Sequence, residues 1–185
     1  MERDLTFRAA DTLEKLTGRR PVGIRTASWD FSVDTLSIIR ELGLLYDSSL
    51  MADDDAYELL DQGKPTGIVE LPPEWIRDDA VYFNMLRFSA LRPYTPPSSV
   101  EEVFTAEFEG AYREGGLFLL TMHPHVIGHR SRIALLDRLD RASLAAQRRI
   151  TVPFLRQVVE ARACVREEAV EPGRGTLADR HHAAL

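Results

Sequence analysis

GLFLLTMHPHVIGHRSR, residues 116–132, is the stretch on which the fold turns. Leu117 to Met122 is a dense apolar run of strand length, and Pro124 ends it because proline offers no N–H to a ladder. His123 follows the run directly, where a strand hands over to a loop. Ser131 then opens a helix carrying Ile133, Leu136 and Leu139. Buried strand, polar loop and amphipathic helix make one βα unit, and chains of such units form parallel sheets.

The alternation extends upstream. Leu5, Ala9, Leu13 and Leu16 recur at helical spacing before Gly18, which predicts an amphipathic helix over residues 2–17 with those side chains inward. Val22 to Ala27 reads as a buried strand. Ser32 can cap a helix carrying Leu36, Ile39 and Leu42, which stops at Gly43. Leu44 to Tyr46 reads as a strand, residues 51–66 as a polar, acidic loop, and Ile68 to Leu71 as a strand ended by Pro72 and Pro73. Ser98 with Glu101, and Ser99 with Glu102, fit capping boxes for a helix presenting Val103, Phe104, Phe108, Ala111 and Tyr112, which stops at Gly115-Gly116.

A βα unit opens on a strand, yet this chain opens on a helix, and a full barrel takes ~250 residues against 185 here. The expected class is therefore α/β: a partial, distorted (β/α) barrel with mostly parallel strands, occupying residues 1–139. The barrel's unpaired edge would favour association between copies, a homo-oligomer. In residues 140–185 the pattern weakens; 151–168 can form a helix with Pro153 in its first turn, and 171–185 reads as a disordered tail.

With 44% hydrophobic and 28% charged residues the chain has the composition of a globular domain. A net charge of −6 leaves no basic stripe for nucleic acid. No apolar run approaches the ~18 residues of a membrane span. The first residues have no apolar signal core, and Cys164 stands alone, so a reducing cytoplasm is the expected compartment.

Barrels place catalysis where strand ends meet loops, and four places qualify. Arg25 with Trp29 and Asp30 could orient a carboxylate and stack on a sugar; read alone, they are equally a surface ion pair and a core tryptophan. Asp47-Ser48-Ser49 reads by itself as a helix cap or Asx turn. Glu74 to Asp79, including Trp75, is either an acidic, aromatic groove wall or a proline-stiffened loop with solvated charges. His123 at a strand end would offer an imidazole, the side chain suited to proton transfer near neutral pH. His123, His125 and His129 invite a metal reading, but their spacing fits no zinc pattern and Pro124 would turn the first two apart; His181-His182 is a weaker candidate still. Nucleophile elbow, phosphate loop and HExxH are all missing from the sequence.

In order, GIRTASWDFS, LGLLYDSSLMADD, VELPPEWIRDD and EFEGAYREGGLFLLTMHPHVIGHRSR resemble the NodB-type polysaccharide deacetylase family, in particular its branch of peptidoglycan deacetylases and PuuE-type allantoinases. The resemblance implies a distorted barrel and a metal-dependent hydrolase of C–N bonds, commonly in N-acetyl amino sugars. It implies that Arg25 holds the catalytic carboxylate and that Trp29, with Trp75, walls the groove. Asp47 would line the opposite wall, and His123 would donate the proton to the leaving amine. Ala27 stands where the family has proline. The family's Thr-Phe-Asp-Asp and His-x-x-x-His segments, which supply the base and the metal ligands, have no counterpart in this sequence. A divalent metal, commonly zinc, is thus expected in the complete enzyme, with no metal ligand in this chain and no activity from it alone. The substrate is a glycan or a small amide; an inactive relative that binds glycan or a partner is the competing expectation.

Overall fold

Helix α1 (Glu2–Thr17) ends as the sequence predicts, on Gly18 in the left-handed conformation with φ 71°. Its inward face is different. Ala10 is buried at 6%, whereas Leu5, Leu13 and Leu16 are 55%, 48% and 78% exposed. Polar clamps set the rotation of this helix: Glu2 accepts hydrogen bonds from the hydroxyls of Ser32 and Thr35, each 2.6 Å, and Arg3 reaches Glu41. The computed structural model describes residues 1–84, 86–87, 90–91 and 94–147, all within one unit, Met1–Ile150. The helix expected over 151–168, the tail at 171–185, Cys164 and His181-His182 lie outside the described residues.

Strand β1 (Gly23–Ile24) is shorter than expected, because a 3-10 turn, Ala27–Trp29, follows. Helix α2 (Thr35–Leu42) closes on Gly43 at φ 68° and buries Ile38 and Ile39. Ser32 shapes its approach, its hydroxyl accepting from the N–H of Asp34 at 3.0 Å. Strand β2 is Tyr46–Asp47. The expected loop at 51–66 is in part a hairpin: β3 (Tyr57–Asp61) turns at Gln62 and Gly63 into β4 (Lys64–Glu70). Both turn residues have positive φ, 50° and 77°, as a tight two-residue hairpin turn requires.

The sheet order is β1-β2-β4-β3, with β1, β2 and β4 parallel and β3 antiparallel at the end. Helix α3 (Asp79–Phe83) precedes a small antiparallel pair, β5 (Leu86–Arg87) and β6 (Ala90–Leu91). Helix α4 (Pro97–Glu114) starts on a proline without a side-chain cap, so the two capping boxes do not form; Glu101 instead accepts from Arg138 at 2.6 Å. The strand expected over Leu117 to Met122 is not a regular one: the segment is half-buried and joins its neighbour through a single isolated parallel bridge, Thr121 to Asp78. The loop expected after His123 is a short helix, α5 (Pro124–Ile127). Helix α6 (Arg130–Gln147) continues past Leu139 without a break. The class is α/β with mostly parallel strands in an open sheet, as expected. No helix among the described residues is long and apolar enough to cross a membrane.

Two apolar clusters hold these elements. Ile39, Leu44, Leu59 and Ile68 pack α2 on the sheet. Val100, Phe104, Val126, Ile127, Leu135, Leu139 and Phe83 join α3, α4, α5 and α6. The two burial patterns give opposite expectations for two substitutions. Phe104→Ala, at a fully buried position, should cost ~3–5 kcal/mol. Leu16→Ala should stay within ~0.5 kcal/mol. Chemical denaturation of both variants checks this; a large loss at Leu16 would restore the sequence-predicted face of α1.

Candidate functional site

The parallel bridge between Thr121 and Asp78 brings two segments together. Thr121 N–H donates to Arg77 O at 2.9 Å and Asp79 N–H to Thr121 O at 3.1 Å. The residues just beyond, Asp79 and His123, therefore meet. Asp79 is fully buried, and its carboxylate takes the backbone N–H of His123 at 3.0 and 3.1 Å and the ring Nδ1 at 2.6 Å. A carboxylate only accepts, so the proton on this contact sits on Nδ1. That fixes the tautomer and leaves Nε2 as the nitrogen for the pocket, on a side chain 38% exposed.

Asp78 stands beside this pair, its Oδ1 3.6 Å from Nδ1, and caps α3 by accepting from Ala80 N–H at 2.7 Å. Burial raises its pKa, against the opposing pull of Ala80 N–H and His123.

The pocket in front of the pair is about 380 Å³ and is lined by Arg25, Trp29, Trp75, Thr121 and His123 among others. Four of the expected site residues are thus brought together. Arg25 donates to Ser48 O at 3.0 Å, to Ser48 Oγ at 2.7 Å and to Thr121 Oγ1 at 3.3 Å. Trp29 and Trp75 stand edge to face with centroids 4.4 Å apart. Ser28 and Trp29 both have positive φ, 56° and 58°, a conformation that costs ~1–3 kcal/mol for each non-glycine residue. Trp29 is partly buried and lines the pocket.

Asp47 does not line the pocket. It is fully buried, and its oxygens take the N–H and hydroxyl of Ser49 at 2.8 and 3.1 Å. The family resemblance placed it on the groove wall; instead its carboxylate is turned inward and closes the Asx turn that the residues read by themselves suggested. His125 and His129 are exposed; against the expectation that Pro124 turns them apart, the His125 ring stands edge to face with that of His123, centroids 5.8 Å apart, but the three histidines form no metal-ligand group among the described residues. Most charges of the 74–79 segment are not solvated: Arg77, Asp78 and Asp79 are buried, Arg77 beside Asp54 and Glu107 at 3.3 Å each. Asp79 lay in the segment offered as a groove wall, without its partner being legible; Glu70 was not singled out at all. Glu70 is fully buried, and burial together with neighbouring Asp47 pushes its pKa up to about 8.

Asp78, Asp79 and His123 each offer one ligand atom, all within 4.8 Å of one another. Two carboxylates and an imidazole are donors that a divalent ion accepts. Here their inward lone pairs are already committed, those of Asp79 to His123 and that of Asp78 Oδ1 to Ala80. A metal between them would have to break the contact that orients the imidazole. The set fits an oriented proton donor, and a resident metal poorly.

An open α/β sheet with a polar, aromatic pocket at its parallel strand ends defines a barrel-related protein with an enzyme-like site. The comparisons point to a family. A Mycobacterium smegmatis protein assigned as a polysaccharide deacetylase has a similar structure, with TM-score 0.73 and 31% identity over 95% of this chain and 59% of its own. PuuE allantoinase follows with TM-score 0.63 and 26% identity over 78% of this chain and 47% of its own. The peptidoglycan deacetylase of Helicobacter pylori is 26% identical over 150 residues, 68% of this chain and 51% of that protein. A peptidoglycan deacetylase-like protein of Gibberella zeae is 24% identical over 158 residues. These matches support a NodB-type deacetylase family for this chain, which spans about half the length of the curated relatives it matches. Residues 114–159 also match the model of the Hda lid domain, a stretch of less than half the chain.

The Asp79 contact predicts the protonation pattern of the ring. Long-range 1H–15N spectra of the protein above neutral pH should show His123 as the Nδ1–H tautomer. Asp79→Asn, whose amide can donate as well as accept, should shift it toward Nε2–H. An unchanged tautomer in the variant would remove Asp79 as the orienting group.

Proposed function

We propose that this pocket serves the hydrolysis of a C–N bond in an N-acetylated amino sugar. His123 supplies the proton to the leaving amine, and Trp29 with Trp75 forms the wall against which the sugar lies. The observation that carries this reading is the 2.6 Å contact between Asp79 and His123 Nδ1 at the edge of the aromatic pocket. An amine is a poor leaving group until it is protonated; with Nδ1–H held by Asp79, the free Nε2 takes a proton from the attacking water and then delivers it to the amine, so the imidazole ends the cycle as it began. The flat, apolar face of a pyranose ring suits an indole, and Arg25 and Thr121 add polar contacts around it.

The relatives named as deacetylases support the reaction class, and an allantoinase among them supports C–N hydrolysis more broadly than sugars. A divalent metal supplies the Lewis acidity that activates water in such hydrolases. In this reading it is held by groups other than Asp78, Asp79 and His123, because those three are committed to one another. The second reading, a glycan-binding relative without turnover, is favoured by the same aromatic wall.

The experiment combines calorimetric binding of an N-acetylated oligosaccharide with acetate release in the presence of zinc. The reading predicts saturable binding that Trp29→Ala weakens by tenfold or more with little change in melting temperature. Wherever turnover is present, His123→Ala should lower kcat by ~10²–10⁴. Binding without acetate release under any metal condition would transfer the pocket to the glycan-binding reading. No binding at all would remove the sugar, and stoichiometric zinc lost in His123→Ala would make the Asp78–Asp79–His123 set the metal site.

A further inference from the structure

We infer that Glu70 and Asp47 share a single proton, and that this pair is the positioning device from which the Arg25–Thr26 rim of the pocket hangs. The two carboxyls lie in register on neighbouring parallel strands, β4 and β2, and both are fully buried. Parallel register puts the two side chains on the same face of the sheet, side by side and away from water, and two carboxyls so placed can be joined by a hydrogen bond only if one of them carries a proton.

The hydrogen bonds decide which one does. Asp47 has donors on both oxygens, the N–H of Ser49 on Oδ2 and its hydroxyl on Oδ1. Glu70 takes the N–H of Leu50 on Oε1 at 2.9 Å, while its buried Oε2 has no donor. An orphaned buried acceptor is costly, and a proton on Glu70 removes the orphan by making the group a donor to Asp47. The anion therefore resides on Asp47 and the proton on Glu70.

The rim depends on that anion. Ser49, gripped by Asp47, accepts the Thr26 N–H on its hydroxyl at 3.0 Å. Ser48, between them, accepts from Arg25 on both its carbonyl and its hydroxyl and donates to Leu71 O at 2.6 Å. The other titratable groups that act here are Tyr57, opposite Glu70 on β3, and Arg25 beyond β1, with Tyr46 on β2 and Asp78 acting in turn on Arg25, and Asp53 on Tyr57. Loss of the shared proton would put a second negative charge beside Asp47, with Arg25 as the cation nearby. Because the folded Glu70 holds its proton above the usual carboxyl range, this stabilisation is complete at acid pH and declines as pH rises through about 8. The inference concerns the sheet and stands whether or not the substrate is a sugar.

The test uses the whole chain and Glu70→Gln, whose amide still donates to Asp47 and does not ionise. Infrared spectra at about neutral pH should show a protonated carboxyl band in the wild type that the variant lacks. The melting temperature of the wild type should fall between about pH 5 and pH 8, the span between the ordinary and the raised carboxyl range, more steeply than that of the variant. The Arg25 Nε–H cross-peak should shift with pH around about 8 in the wild type only, which a merely structural role would not produce. Should the variant fail to fold, the 13C titration of Glu70 in the wild type decides alone, with a midpoint above neutrality expected. Two ionised carboxyls at neutral pH, or parallel pH profiles, would overturn the inference. So would a calcium-dependent rise in wild-type melting temperature with both groups ionised, which would make the pair a cation site.

Discussion

A carboxylate with no exposure to water persists only where donors supply its oxygens, and the backbone and ring N–H groups of His123 supply those of Asp79. That constraint ties together two segments separated by 44 positions. It can be met only because the Thr121–Asp78 bridge sets their register and because the clusters around Phe104 and Leu135 hold α3, α4 and α6 against one another. The same constraint orients the imidazole. The burial that makes Asp79 dependent on His123 is what makes His123 a group with one proton in one place.

The polar part of the site is layered. At the surface, Arg25, Trp29, Trp75 and His123 line the pocket. Behind Arg25, Ser48 and Ser49 receive the hydrogen bonds of Arg25 and Thr26, and deeper still lie Asp47 and Glu70. The position of Arg25 is thus set in part by buried groups that do not line the pocket. The strained backbone at Ser28 and Trp29 lies on the same rim.

Much of this was legible in the sequence, and the losses have physical causes. Gly18, Gly43 and Gly115 marked helix ends correctly because left-handed caps depend on the local chain. The inward face of α1 was misread because the apolar spacing of Leu5, Leu13 and Leu16 lost to polar clamps at Glu2 and Arg3, which periodicity cannot register. The hairpin at 57–70 was hidden by its polar composition, although Gln62-Gly63 between Leu59 and Ile68 was a turn signal. Within the site, position near a strand end marked His123, while Arg25, Trp29 and Trp75 needed the family resemblance to stand out from bland readings. The resemblance also placed Asp47 on the groove, but motif position does not say which way a side chain points. Asp79 lay in a segment offered as a groove wall, yet its contact with His123 was not legible, and Glu70 was missed, because both roles arise from partners far along the chain.

The claim at the centre of the account is that the Asp79–His123 pair faces a sugar across an aromatic wall. A crystal structure of the protein with a bound N-acetylated oligosaccharide tests it most directly. The account predicts the sugar's N-acetyl nitrogen within hydrogen-bond reach of His123 Nε2, its ring against Trp29, and Asp79 still on Nδ1. A sugar bound elsewhere, or a metal ion between Asp79 and the imidazole, would contradict it.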